Sequence, residues 1–146
     1  MTMSDTLNGQ CLCGAVTVTA KPGDDGLHAC HCTMCRRWTG SAFVGMAIAP
    51  GDLTANGPIK TYVSSEWAER SFCDTCGSTL WYRVTLPGHE FNHVAAGLFD
   101  DAGGQALTKE VFIDSKPDGY AFAGDHTLVT KEEMLAIFAK IGGKTE

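Results

Sequence analysis

The hydrophobic pattern of the chain consists mainly of short apolar segments separated by turn residues. Between residues 14 and 20, Val16 and Val18 alternate with Thr17 and Thr19, which is the period of two expected of a half-buried strand. Further strands are predicted at residues 27–32, 42–49, 59–63, 70–73, 79–85, 91–98, 111–114 and 120–123. Many short strands at this spacing predict a mainly β protein, a sandwich or related sheet assembly, formed by one domain over residues 1–146.

Helical periodicity appears near the end of the chain. Thr130 and Glu133 have the spacing of a capping box, and apolar residues then recur every three or four positions until Gly142 and Gly143. We therefore predict a short amphipathic C-terminal helix over about residues 130–141, packed on the core through one apolar stripe. The residues of this stripe are Met134, Ile137, Phe138 and Ile141.

Composition and charge restrict the class of protein. Hydrophobic residues make up 44% of the 146 residues and charged residues 19%, which argues against a disordered chain. The formal net charge of −6 disfavours binding to nucleic acid, because phosphate backbones require a positive field. No apolar run is long enough to cross a membrane, and the N-terminus lacks the pattern of a secretory signal. We expect a cytoplasmic protein, and the sequence leaves open whether it forms a homodimer.

Seven cysteines, in three groups, are the main chemical feature of the chain. In a reducing compartment they are more consistent with metal ligation than with disulfides, and an odd number cannot all pair within one chain. Cys73 and Cys76 have the C-x-x-C spacing of a zinc knuckle. Cys11 and Cys13 lie two residues apart, so on a strand their side chains face the same way. Joined, these two pairs make a closed four-thiolate site.

The remaining three cysteines, Cys30, Cys32 and Cys35, are one ligand short of a closed tetrahedron. Three protein ligands with an open fourth position are typical of a catalytic zinc site. His31 faces the opposite side of an extended segment, so we interpret it as a locally packed residue rather than a ligand. The following residues, 36–41, are predicted to form a loop or a single helical turn that stops at Gly40.

Spacing alone also permits another division of the cysteines. Cys32 and Cys35 can pair with Cys73 and Cys76 as the two knuckles of a zinc ribbon, which leaves the other three without a role. The residues themselves do not decide between the two arrangements.

Three segments of the chain resemble the glutathione-dependent formaldehyde-activating enzyme family, also called the centromere protein V/Gfa domain. They are Gly9-Gln10-Cys11-Leu12-Cys13-Gly14-Ala15-Val16, the run from Cys30 to Phe43, and Phe72-Cys73-Asp74-Thr75-Cys76-Gly77-Ser78. Weaker similarity extends the resemblance over about residues 9–116. The chain departs from the family pattern after Lys116, where Pro117, Asp118 and Gly119 precede Tyr120, and the C-terminal helix matches no family motif.

The resemblance implies a β-tent fold, in which folded antiparallel sheets surround two zinc ions per chain. It assigns the structural zinc to Cys11, Cys13, Cys73 and Cys76, and the zinc associated with activity to Cys30, Cys32 and Cys35. It further implies carbon–sulfur lyase chemistry on a glutathione-like thiol and a small aldehyde such as formaldehyde. The alternative is a non-catalytic zinc-binding module of the same fold.

Charged and hydroxyl side chains close to the central cluster are candidates for substrate contacts. Arg36 and Arg37 follow it directly and suit the carboxylates of a glutathione-like substrate, and Ser41 suits a carbonyl oxygen or a water molecule. We hypothesise that the open position of the zinc holds the substrate thiol as a thiolate. A methionine sulfoxide reductase of related fold is disfavoured, because it needs a reactive cysteine late in the chain and none follows Cys76.

Overall fold

A computed structural model describes residues 6–140 of the chain, and within this range the fold is mainly β. Eleven strands form two sheets, which confirms the mainly β class that the short apolar segments predict. The strands are β1 Leu7–Gln10, β2 Thr17–Ala20, β3 Leu27–Cys30, β4 Phe43–Ile48, β5 Leu53–Asn56, β6 Ile59–Ser65, β7 Ala68–Cys73, β8 Thr79–Val84, β9 Phe91–Ala95, β10 Leu107–Val111 and β11 Thr127–Val129. The helices are α1 Thr33–Thr39 and α2 Lys131–Lys140, with several short 3₁₀ turns between strands.

The larger sheet has eight strands in the order β11-β10-β3-β4-β9-β8-β7-β6. Neighbouring strands are antiparallel except around β10, which runs parallel to both β3 and β11. In this register Cys30, the last residue of β3, lies between Phe43 of β4 and Val111 of β10. The central cysteine segment therefore begins in the interior of the sheet.

The smaller sheet, in the order β1-β2-β5, packs against the larger one and forms the main core with it. Val16 and Val18 are fully buried, as the alternation near the N-terminus predicts, and they belong to one cluster with Met46 and Leu80. Cys11 and Cys73 are buried in the same cluster. The first and third cysteine groups are thus attached to opposite sheets of one core.

Residues 33–39 form a complete short helix, so the prediction of a loop or single turn was wrong for this segment. The helix N-cap is Cys32, whose Sγ accepts a hydrogen bond from the Cys35 amide at 3.3 Å. Cysteine is not among the usual N-cap residues, so the start signal was missed. The predicted stop is confirmed, because Gly40 caps the end of the helix with a φ of 96°, a left-handed conformation that favours glycine.

The C-terminal helix α2 is confirmed, and so is its capping box. The Thr130 amide donates to Glu133 Oε1 at 2.8 Å, and the Glu133 amide donates to Thr130 Oγ1 at 3.2 Å. Phe138 is buried against Trp67, with ring centroids 4.6 Å apart, whereas Ile137 is half exposed and does not belong to the buried stripe. The predicted end at Ile141, Gly142 and Gly143 lies outside the described residues.

Three parts of the strand prediction were wrong. The strand predicted at residues 111–114 is displaced, because β10 ends at Val111 and Ile113–Ser115 form a 3₁₀ turn. Residues 120–123 are not a strand: Tyr120 and Phe122 pack their rings beside His31, so the apolar pattern there reflects loop packing. Strands β1, β5 and β11 were missed, because their short and largely polar sequences carry little hydrophobic signal. Within residues 6–140, no helix has the length and apolar character needed to cross a membrane.

Candidate metal centres and the adjacent cavity

The first and third cysteine groups come together in space. The Sγ atoms of Cys11, Cys13, Cys73 and Cys76 all lie within 4.8 Å of one another. Cys13 Sγ is 3.7 Å from Cys11 Sγ and 3.9 Å from Cys73 Sγ. Four sulfurs at this separation suit a tetrahedral ion that prefers sulfur, and Zn²⁺ is the commonest such ion in structural sites.

Backbone amides support this four-cysteine cluster. The Cys76 amide donates to Cys73 Sγ at 3.4 Å, and the Val16 amide donates to Cys11 Sγ at 3.3 Å. Hydrogen bonding by the Ser78 side chain, whose Oγ lies 3.1 Å from the sulfur, lowers the pKa of Cys76 to about 5. Hydrogen bonds to sulfur favour the thiolate form that a metal requires.

The central group forms a second, separate cluster. Cys30 ends β3, Cys32 caps α1, Cys35 lies in its first turn, and the three Sγ atoms are within 4.8 Å of one another. Hydrogen bonds from the Cys30 and Cys35 thiols lower the pKa of Cys32 to about 2, while hydrogen bonding with Cys32 and Cys35 raises that of Cys30 well above its usual value. One thiolate therefore forms readily, and the others need a cation beside them.

The seven cysteines divide into one cluster of four and one cluster of three, as the resemblance implies. Cys32 and Cys35 belong to a different cluster from Cys73 and Cys76, so the zinc-ribbon pairing is not formed. Both clusters have the donor chemistry for zinc.

Arg70 of β7 is a component of the three-cysteine site that sequence reasoning missed. Its guanidinium is buried, Nη1 donates to Cys35 Sγ at 3.5 Å, and the group lies 5.0 Å from the Trp38 ring centroid and 5.2 Å from that of Tyr82. Among residues 6–140, no carboxylate forms an ion pair with it. A buried cation needs a counter-charge, and the neighbouring sulfurs supply one if they are thiolates. Arg70 therefore indicates that this cluster is built to be anionic.

We expect Arg70→Met to weaken metal binding at the three-cysteine cluster by about tenfold to a hundredfold, because the charge that offsets the thiolates is lost. Arg70→Lys should retain part of this affinity, since it keeps the charge but loses the planar contacts with two rings. Competition with a chromophoric chelator measures the effect. Equal affinities in the wild type and Arg70→Met would contradict the assigned role.

A cavity of about 400 Å³ opens beside this cluster. The three cysteines and Arg70 line it, and most of the other lining residues are apolar. These other residues are Thr33, Met34, Trp67, Tyr82, Val111, Phe112, Ser115, Lys131, Met134, Leu135 and Phe138. The cysteines thus face a space large enough for a small ligand.

The predicted substrate contacts lie elsewhere in this structure. Arg36 and Arg37 are in the last turn of α1, and Ser41 donates its hydroxyl to the carbonyl of Ala42. None of the three lines the cavity. Their role in substrate binding stays a prediction, while the structure presents Arg70 and Lys131 as the cations of the cavity.

His31 points away from the cysteines on either side of it. It is almost fully buried, and its Nε2 lies 2.8 Å from Oε1 of Glu110 on β10. The second oxygen of Glu110 lies 2.7 Å from Nδ1 of His126, whose Nε2 is 3.0 Å from the carbonyl of Ala123. His31 therefore holds β3 to β10 and to the loop before β11, as a locally packed residue would.

The fold and the two thiol clusters together define a mainly β protein with two groups of cysteines that could each hold a metal ion. The fold is similar to that of a crystal structure of a Rhodobacter sphaeroides protein, with a TM-score of 0.56 and 20% sequence identity, covering 85% of this chain and all of that one. At this identity the similarity concerns the fold.

The sequence comparisons identify the family. A model of the glutathione-dependent formaldehyde-activating enzymes matches residues 6–115, and the chain belongs to this family. It is 34% identical over 133 residues to an uncharacterized lyase of Schizosaccharomyces pombe, covering 90% of this chain and 96% of that protein. A Talaromyces marneffei protein, provisionally named a glutathione-dependent formaldehyde-activating enzyme, is 30% identical over 151 residues, with 92% and 74% of the two chains covered.

Proposed function

We propose that the protein is a zinc-dependent carbon–sulfur lyase that forms and cleaves the S-hydroxymethyl adduct of a glutathione-like thiol and a small aldehyde such as formaldehyde. The observation that carries the proposal is the three-cysteine cluster in the wall of a cavity, with one buried cation beside it. The family and the lyase relative supply the reaction class.

The two clusters take different roles in this proposal. Cys11, Cys13, Cys73 and Cys76 hold a structural zinc that joins the two sheets, because four thiolates complete a tetrahedron. Cys30, Cys32 and Cys35 hold the second zinc and leave one side accessible from the cavity. When bound there, zinc supplies a positive centre that favours the thiolate form of a substrate sulfur.

The residues of the chain then act by position and charge. Three thiolates and one Zn²⁺ sum to a formal charge of −1, and a substrate thiolate adds another negative charge. Arg70 offsets part of this charge within the buried site, where Coulombic interactions are stronger than in water. The apolar walls exclude water around the reacting atoms.

Adduct formation and cleavage are the two directions of one reaction. In the forward direction the thiolate sulfur attacks the aldehyde carbon, a C–S bond forms, and the carbonyl π electrons move to oxygen, which takes up a proton. In the reverse direction the hydroxyl loses its proton, the C–S bond breaks, and the aldehyde and thiolate separate. No oxidant or reductant is needed.

Metal analysis and exchange kinetics test this function. We expect two zinc ions per chain and a faster exchange of formaldehyde with glutathione in the presence of the protein, seen by exchange NMR of the S-hydroxymethyl signals. A control with the zinc removed by a chelator and then restored separates metal-dependent turnover from background. Exchange of formaldehyde with glutathione at the uncatalysed rate, in protein holding both zinc ions, would contradict the proposal and favour the non-catalytic zinc module.

A further inference from the structure

The helix α2 forms one wall of the cavity beside the three-cysteine cluster. Four lining residues belong to α2: Lys131, Met134, Leu135 and Phe138. The match to the family model ends at residue 115, so this wall lies outside the matched part of the chain. Part of the cavity wall is therefore formed by residues that the family model does not match.

The wall is apolar and anchored. Phe138 is buried and its ring contacts Trp67, another lining residue, at a centroid distance of 4.6 Å. The capping box at Thr130 and a hydrogen bond from the Lys131 amide to Asp114 Oδ1 at 2.9 Å fix the start of the helix. An anchored apolar wall favours a ligand with a hydrocarbon body, because burial of each methylene strengthens binding.

The charges lining the cavity have one sign. Arg70 and Lys131 are cations, and no Asp or Glu occurs among the lining residues of the described chain. Arg70 is already paired with the Cys35 sulfur, whereas Lys131, an exposed residue in the first turn of α2, forms no ion pair within residues 6–140. Glutathione carries an ammonium group as well as two carboxylates. The Asp114 carboxylate lies beside the amide of Lys131 but is not among the lining residues, so none of those residues offers the ammonium a carboxylate partner.

We propose that this cavity selects thiols that have an apolar body and an anionic end, with the sulfur at the three-cysteine cluster, the body against α2 and Trp67, and the anion at Lys131. The proposal rests on the proposed function, since it assumes a thiol at that cluster. It makes Lys131 and Phe138 specificity-determining residues.

Binding of a matched series of thiols tests the proposal. The protein is loaded with Co²⁺ in place of zinc, and the thiol-dependent change in its absorption spectrum reports binding separately from turnover. The series contains 6-mercaptohexanoate, 6-mercaptohexanol and 6-mercaptohexylamine, which differ in the end group, together with 3-mercaptopropionate and glutathione. The carboxylate should bind about tenfold more tightly than the amine. The affinity for 6-mercaptohexanoate should also exceed that for 3-mercaptopropionate, by up to about fourfold for each additional buried methylene.

Two pairs of variants assign the selectivity to residues. Lys131→Gln should weaken the binding of 6-mercaptohexanoate by about threefold to tenfold and leave the binding of 6-mercaptohexanol unchanged. Lys140→Gln, at the other end of α2, should alter the binding of neither thiol. Phe138→Ala should weaken the binding of both six-carbon thiols relative to that of 3-mercaptopropionate. Ile137→Ala, on the exposed side of the helix, should not. If Phe138→Ala unfolds α2, the comparison of Lys131→Gln with Lys140→Gln still tests the proposal, because both replace exposed side chains and leave the packing of the helix intact.

The outcomes separate this proposal from the proposed function. If no thiol perturbs the Co²⁺ spectrum, the cluster has no accessible position and the proposed function fails together with the selectivity. If thiols bind but the amine or glutathione binds as tightly as the carboxylate, or Lys131→Gln changes nothing, the selectivity alone is overturned and the proposed function stands.

Discussion

Replacement of Cys32 by serine is expected to abolish turnover and remove about one zinc ion per chain, while the fold is retained. Cys32 contributes one of three sulfurs to its cluster, and two thiolates do not hold zinc in competition with solution ligands. Serine suits this position structurally, because Cys32 is also the N-cap of α1 and serine is a preferred N-cap residue. The variant therefore separates metal binding from helix capping.

Three measurements on Cys32→Ser check this expectation. Metal analysis should show the loss of one zinc, circular dichroism should match the wild type, and kcat/KM for adduct cleavage should fall to the background rate. Cys32→Ala provides the comparison, since it removes the metal ligand and the cap together and should lower the thermal midpoint further. Wild-type turnover in Cys32→Ser would refute the role assigned to the three-cysteine cluster.

Replacement of Cys73 by serine should have the largest effect on stability, with loss of the cooperative fold. Cys73 is fully buried where β7 ends, and its cluster joins the two sheets. Structural zinc sites contribute about 10–16 kcal/mol in zinc-finger peptides, which exceeds or matches the 5–15 kcal/mol of net stability typical of a whole domain. Loss of this site therefore leaves too little stabilisation for the sheets to remain packed.

Cys13→Ser is the matched control for Cys73→Ser, because Cys13 belongs to the same cluster but is exposed. It removes a ligand with little loss of packing, so a large fall in the thermal midpoint of this variant attributes the effect to the metal. Thermal denaturation followed by circular dichroism, with and without a chelator, makes the comparison. If both variants melt at the wild-type temperature with two zinc ions bound, the structural role of this cluster is wrong.

The local chemistry of the site could be predicted because it depends on residues close in sequence. The C-x-x-C spacing of Cys73 and Cys76 predicts a tight turn, and the amide of Cys76 donates to the Cys73 sulfur as such a turn allows. The capping box of α2 was correct for the same reason, since Thr130 and Glu133 are three residues apart. The start of α1 was missed although it is local, because its cap is a cysteine.

The division of the cysteines required information beyond spacing. Two arrangements were compatible with the C-x-x-C motifs, and the family resemblance favoured the one that the structure shows. The spatial distance between Cys13 and Cys73, which are 60 positions apart in the chain, depends on how the two sheets pack. No local pattern encodes that packing.

By itself, the sequence determined the mainly β class, the thiol chemistry, the capped C-terminal helix and, through its motifs, the family. Only the tertiary structure decided what surrounds the three-cysteine cluster. Arg70 reaches Cys35 from a strand 35 residues away, and Lys131 and Phe138 approach from a helix about a hundred residues further along the chain. Such contacts arise from the pairing of distant strands and the docking of a helix, and hydrophobic periodicity reports which face of an element is buried but not which partner covers it.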